Sequence, residues 1–260
     1  MAFKVSLLNE ELGRALARPW RLPLNLLLSA AGTLAGITIG VLIHTYHRGL
    51  PYAAANIFIW SLAFYNASQL GADADKVLKR AAKGRSLKSL FLYKNLALLI
   101  IAIPIDLALI TFTCWVINDW NSYWFAILLA IIAVIISLGL GNIVSVVWVY
   151  KPASLWKMRH DRVRLVEYGI FLLISYLSAT LALLLAFLPS NILLQVADTT
   201  SVIQVVSGIV ILLSWAIFCW AIALGWANQL AFRYSDYFLG RLNGQTIKIN
   251  NARLKKILKA

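Results

Sequence analysis

The chain has 260 residues, 61% of them hydrophobic and 13% charged, with 24 Lys and Arg against 10 Asp and Glu and a formal net charge of +14. With a mean hydropathy of +0.79, it carries more apolar surface than a water-soluble domain of this length could hide, which excludes an ordinary soluble globule. The basic excess is spread over the links between apolar runs, so anionic lipid headgroups and insertion topology account for it better than nucleic acid does.

In chain order, the first predicted element is an amphipathic helix within residues 1–21. Val5, Leu8, Leu12, Ala15 and Leu16 fall on one face, with Glu10, Glu11, Arg14 and Arg18 opposite. Asn9 or Ser6 can cap it, and Pro19 and Pro23 then turn the chain into the bilayer; such a helix lies flat at the membrane surface. Residues 22–230 hold six apolar runs near or above the roughly 20 residues that cross a bilayer as a helix. They fall at about Leu22–Ile43, Leu50–Leu70, Phe91–Ile117, Trp120–Trp148, Leu165–Leu188 and Val202–Leu230. Barrel-type alternation is absent, so these are helices. In the first, Gly32, Gly36 and Gly40 recur at intervals of four and let another helix approach, in this chain or in a second copy. Residues 231–260 form a basic tail in which Leu254, Ile257 and Leu258 share a face: either it rests on the membrane or it is a frayed end.

The basic residues set the orientation. The leader carries four, the link between spans two and three seven with Lys94 included, the link between spans four and five five, and the tail seven; Arg48 alone lies elsewhere. By the positive-inside rule both termini are cytoplasmic in a multi-pass protein of the cell membrane. The expected class is thus all-α integral membrane, with six transmembrane helices and an amino-terminal interfacial helix. Cys114 and Cys219 lie on different spans and read as small apolar packers. His44 and His47 make a poor metal pair, and His160 sits in a basic loop.

Candidate chemistry is sparse. Asp106 stands near the middle of span three beside Pro104. Twelve Leu, Ile, Val and Phe between Leu96 and Val116 favour insertion by roughly 4–7 kcal/mol against roughly 2.5–3.5 kcal/mol for one Asp. The span therefore tolerates a carboxylate that faces protein or water. Either it serves a substrate or a proton, or it is hydrogen-bonded to a neighbouring Ser, Thr or Asn or held neutral. "GADAD" contains an Asp-x-Asp that could ligate magnesium on a diphosphate, but no second acidic cluster faces it, and no phosphate-binding loop of the Gly-Lys-Ser/Thr kind is present. Catalytic residues, bound cofactors and metals are therefore not expected.

The stretch from Ser68 to Leu99 concentrates charge between two apolar runs. Asp73 and Asp75 precede "KVLKRAA", a helix-forming run that Gly84 can end, and Ser86 can cap span three. A bare connection needs only a handful of residues, so a short helix carrying Asp73, Asp75, Lys76, Lys79, Arg80, Lys83 and Arg85 suggests a docking surface on the cytoplasmic side.

This stretch resembles a pattern in permease subunits of type-two ATP-binding-cassette exporters, roughly Asn-x-Phe-Gly-x-Asp, Pro-x-x-Arg-Arg, Leu-Leu-x-Gly-Lys-Asn-Leu-Ala and a later Pro. Gly71, Asp73, Lys94, Asn95, Leu96, Ala97 and Pro104 carry the likeness. "GLGNIVSVVWVYKP" is similar to the family's Gly-Leu-Gly-Asn-x-x-Ser-Val ending of span four, through Gly141, Asn142 and Ser145. Ser68, Leu70, Gly84, Tyr93 and Val149 depart from the pattern. The resemblance implies a half-transporter that pairs with a second permease, a copy or a sibling. It would dock a separate ATPase, which holds the ATP and magnesium, through the Asp73–Arg85 loop. Spans one and five would form the pairing interface, and "PSNILLQVADTT" would form re-entrant helices at the exit. Two other classes compete: a membrane scaffold or immunity protein that binds a partner, and a magnesium-dependent lipid or prenyl-diphosphate enzyme using Asp73 and Asp75.

Overall fold

The computed structural model describes residues 8–9, 12–13, 31, 35, 38, 59, 62–63, 66–68, 70, 73–74, 77, 87–121, 123–150, 162–196, 202–234, 237 and 240, with the backbone alone at 162–164, 191–196 and 202–204. Every element among them is helical. Four helices are long and apolar enough to cross a membrane: α1 (Lys88–Ile117), α2 (Tyr123–Val147), α3 (Arg162–Val196) and α4 (Val202–Arg233). They correspond to predicted spans three to six and make the chain a multi-pass helical membrane protein. Most of the first two predicted spans, with Gly32, Gly36 and Gly40, lies outside the described residues.

Helix α2 is the centre of the described bundle. It packs most broadly on α4, then α3, then α1, while α3 and α4 scarcely touch each other. Two-thirds of its membrane-spanning residues are buried. Small residues make this possible. The buried positions of α3 are Phe171, Ser175, Ala179, Ala182, Ala186 and Ser190, steps of three and four that place one small-residue seam against the bundle. On α4 the matching positions are Ala216, Ala223, Ala227 and Ala231. A Cβ on Gly139 of α2 would stand 3.0 Å from Trp220 Cα and 3.1 Å from Ala223 Cβ, so the α2 and α4 backbones meet there.

The outward faces are apolar too. Leu173, Leu177, Val210, Ile217 and Phe218 are all more than half exposed, a surface that water would not tolerate and that hydrocarbon matches. Exposed Trp115, Trp120 and Trp124 gather at the α1–α2 turn, and Trp226 and Phe232 lie toward the carboxyl end of α4; indole rings favour the membrane–water boundary. Leu87, Leu90 and Phe91 of the α1 start pack with Val146 and Val149 at the α2 end and with Leu224, Ala227 and Ala231 of α4, while Tyr150 stacks on Phe171 of α3 at 4.5 Å. Helix direction therefore alternates, and the five described basic residues, Lys88, Lys94, Arg162, Arg164 and Arg233, all belong to one end.

Helix ends depart from expectation for local reasons. Leu87 is the residue capping α1, and its own side chain makes no capping hydrogen bond; Ser86, the expected cap, lies outside the described residues. Asn118, in the left-handed region at φ 53°, ends α1 with its N–H on the Cys114 carbonyl, a role Asn takes more readily than most residues. Leu8 is already helical, which removes Asn9 as a cap, while half-buried Leu8 and Leu12 and exposed Asn9 and Gly13 agree with an amphipathic leader. The largest correction concerns Pro189. The segment beginning there does not start a re-entrant helix: Pro189–Val196 continue α3. Proline has no N–H for the carbonyl four residues back, and the Trp215 indole N–H of α4 donates to that oxygen, on Leu185, at 3.0 Å.

Candidate functional site

The basic end of the bundle holds most of the described polar chemistry. After Leu70 the chain makes a helical turn: the Asp73 N–H donates to the Leu70 carbonyl at 3.2 Å, and Val77 N–H to the Asp73 carbonyl at 3.1 Å. Leu70, Ala74 and Val77, spaced i, i+4, i+7, are buried in the same cluster as Leu90, Phe91, Val146 and Leu224. The start of the charged link is thus packed onto the ends of α1, α2 and α4.

That packing brings Asp73 to Lys94. The Lys94 ammonium pairs with the Asp73 carboxylate, although Lys94 sits in the second turn of α1 and is only 7% exposed. A buried ammonium is tolerable when paired, and breaking such a pair leaves an uncompensated charge. Lys94, counted among the charges that flank the membrane, also ties the link to α1. Asp73 correspondingly carries an ion pair inside the chain rather than a free carboxylate on the link. Gly71, Asp75, Lys76, Lys79, Arg80, Lys83 and Arg85 lie outside the described residues.

At the same end, the glycine-asparagine stretch of α2 meets the second predicted span. Asn66, fully buried, donates its amide to the Leu138 carbonyl at 2.9 Å and to the Ser137 carbonyl at 3.3 Å. It fits only because residue 141 is glycine: an added Cβ would fall 2.7 Å from Asn66 Cγ and 3.0 Å from its Cβ. Asn142 is buried, and the Ser145 hydroxyl donates to the Asn142 carbonyl at 2.8 Å. Sequence reasoning missed Asn66. The available signal was an amide in an apolar run, which in a membrane calls for a partner.

Two polar residues of α1 stand apart. Asn95 and Asp106 are each 2% exposed, and neither the amide atoms of Asn95 nor the carboxylate oxygens of Asp106 find a hydrogen-bond partner among the described residues. A charged residue at mid-membrane costs about 2.5–3.5 kcal/mol and an unpaired buried amide about 1–3 kcal/mol. The expected relief for Asp106, a hydroxyl or amide on a neighbour, is not seen among the described residues. Buried Thr113 donates to its own helix at Leu109, and the Ser137 and Ser175 hydroxyls likewise find no partner among the described residues. Pro104, two residues before Asp106, points its exposed ring side away from the core. Among the described residues no group of three His, Cys, Asp or Glu is placed to hold a metal ion, and Cys114 and Cys219 are both free thiols.

No protein-family profile, curated protein or solved structure matches the chain.

Proposed function

We propose that the chain is the permease subunit of an ATP-driven exporter of the type-two ATP-binding-cassette kind. Its fold would have six spans, an amphipathic leader at residues 1–21 and both termini in the cytoplasm. In this reading the chain provides the substrate path across the cell membrane, pairs with a second permease, and carries no catalytic residue. ATP and magnesium are held by a separate ATPase that docks on the link carrying Asp75, Lys76, Lys79, Arg80, Lys83 and Arg85.

The observation that supports it is the Asp73–Lys94 ion pair. A docking loop must transmit force, and this one starts from a turn packed on three helices and ionically fixed to α1. Movement of the link therefore displaces α1 rather than being lost in slack chain, which is what a switch between inward and outward access requires. The same pair weighs against a magnesium-dependent enzyme built on Asp73 and Asp75, because one of its two carboxylates is already engaged by an ammonium.

The test is a native pull-down of the tagged chain in mild detergent, with partners identified by mass spectrometry. A stoichiometric ATP-binding-cassette protein is expected, and replacing Lys79 and Arg80 by Glu abolishes its capture without reducing membrane insertion. An intact complex without any nucleotide-binding partner overturns the assignment; unchanged capture by the double variant overturns the docking site.

A further inference from the structure

Asn95 and Asp106 are eleven residues apart on α1, a little over three helical turns, so they share a face, separated along the axis by about 16 Å. Leu98 and Ala102 fill the face between them, and Leu109 and Ile110 continue it beyond Asp106; all four are buried in apolar clusters. Lys94, the basic residue of α1 nearest in sequence, is committed to Asp73. Asp106 is therefore a buried carboxylate with apolar neighbours one turn away on either side, no hydrogen bond, and no counter-charge supplied by the described chain. Buried polar groups in native proteins are nearly always satisfied, and the exceptions call for a ligand or another specific cause.

We infer that Asp106 recognises the cationic group of a lipophilic substrate, an amine or quaternary ammonium carried on an apolar body; the inference rests on the exporter reading above and names its substrate class. A metal ion is a poorer fit, since a hard cation demands several oxygen ligands and the described residues offer no such set. An organic cation asks only for one counter-charge and apolar contact, and the α1 face provides both. Asn95, near the basic end, supplies a polar step on the way from that end to the middle of the helix.

The test uses the full chain in lipid nanodiscs and radiolabelled tetraphenylphosphonium, a permanently charged apolar probe. Saturable binding is expected. Asp106→Asn should weaken it by about tenfold or more, the factor expected when one counter-charge is lost from a site shielded from water, while Asp106→Glu retains most of it. The anion tetraphenylborate should show no dependence on residue 106. A second measurement needs no variant: the probe protects Asp106 of the wild-type chain from dicyclohexylcarbodiimide, read by mass spectrometry. Absent saturable binding, undiminished binding to a folded Asp106→Asn variant, or lack of protection overturns the inference. Neither measurement involves the ATPase or nucleotide. Binding without capture of an ATPase thus removes the exporter reading and leaves the cation site, and the reverse result removes the cation site alone.

Discussion

Gly141 and Asn66 form a contact in which each residue explains the other. The Asn66 amide reaches two α2 carbonyls through space that any side chain at position 141 would occupy. Gly141→Ala forces Asn66 away and leaves its amide buried and unpaired, at about 1–3 kcal/mol for the lost bonds, with overpacking of similar size. The variant should therefore melt several degrees below wild type in detergent. Removing the obstructing side chain as well, in Asn66→Ala/Gly141→Ala, should recover part of the loss, a non-additivity expected of touching residues. Equal melting of the single and double variants would refute the contact. Gly141 was legible only through its resemblance to a family pattern, and Asn66 was not legible at all. A single amide has no periodicity, and its partners are backbone carbonyls, which every sequence possesses. Lys94 was visible but its pairing was not, because charge counting locates a lysine near a membrane face without saying whether its ammonium meets water or a carboxylate.

The helices themselves were largely readable, because the length of an apolar run is set by the bilayer and not by tertiary detail. Their ends were not. α3 runs to Val196 and not to the expected Leu188 because Trp215 on another helix takes the carbonyl that Pro189 leaves without a donor; proline is a stop signal only where no such partner arrives. Trp215→Phe removes one hydrogen bond, about 0.5–1.5 kcal/mol. It should lower the melting temperature in a wild-type background and much less in Pro189→Ala, where an alanine N–H can serve Leu185. Thermal unfolding of the four chains checks this; equal losses in both backgrounds would show that the indole acts only by packing. The seam of Ser175, Ala179, Ala182, Ala186 and Ser190 was in the sequence but silent, since in lipid the inward face is no greasier than the outward one and only side-chain size distinguishes them.

For the whole molecule, α2 is the most apolar of the four described helices and alone among them lacks a charged residue, a signal of the hub that was in the sequence and not drawn upon. The described basic residues share one end, and the proposed topology, in which the positive-inside rule puts that end in the cytoplasm, has a direct test. In a chain with Cys114 and Cys219 replaced by Ala, Trp120→Cys should react with a membrane-impermeant maleimide added to intact cells, and Tyr234→Cys only once the membrane is opened. Labelling of both from outside would overturn the assigned topology. The candidate site was half visible: Asp106 stands out in any apolar run, whereas its lack of a partner is a fact of three-dimensional packing.

The α1–α2 turn spans only residues 118–122, and this shapes how the protein is made. α2 leaves the ribosome directly behind α1, so the two can enter the bilayer as a pair, and the awkward carboxylate of α1 need not wait alone in lipid. The helix on which all the other described spans lean precedes α3 and α4 along the chain and so emerges from the ribosome before either. Each later arrival, with a seam of small side chains to close, finds a finished post to close against.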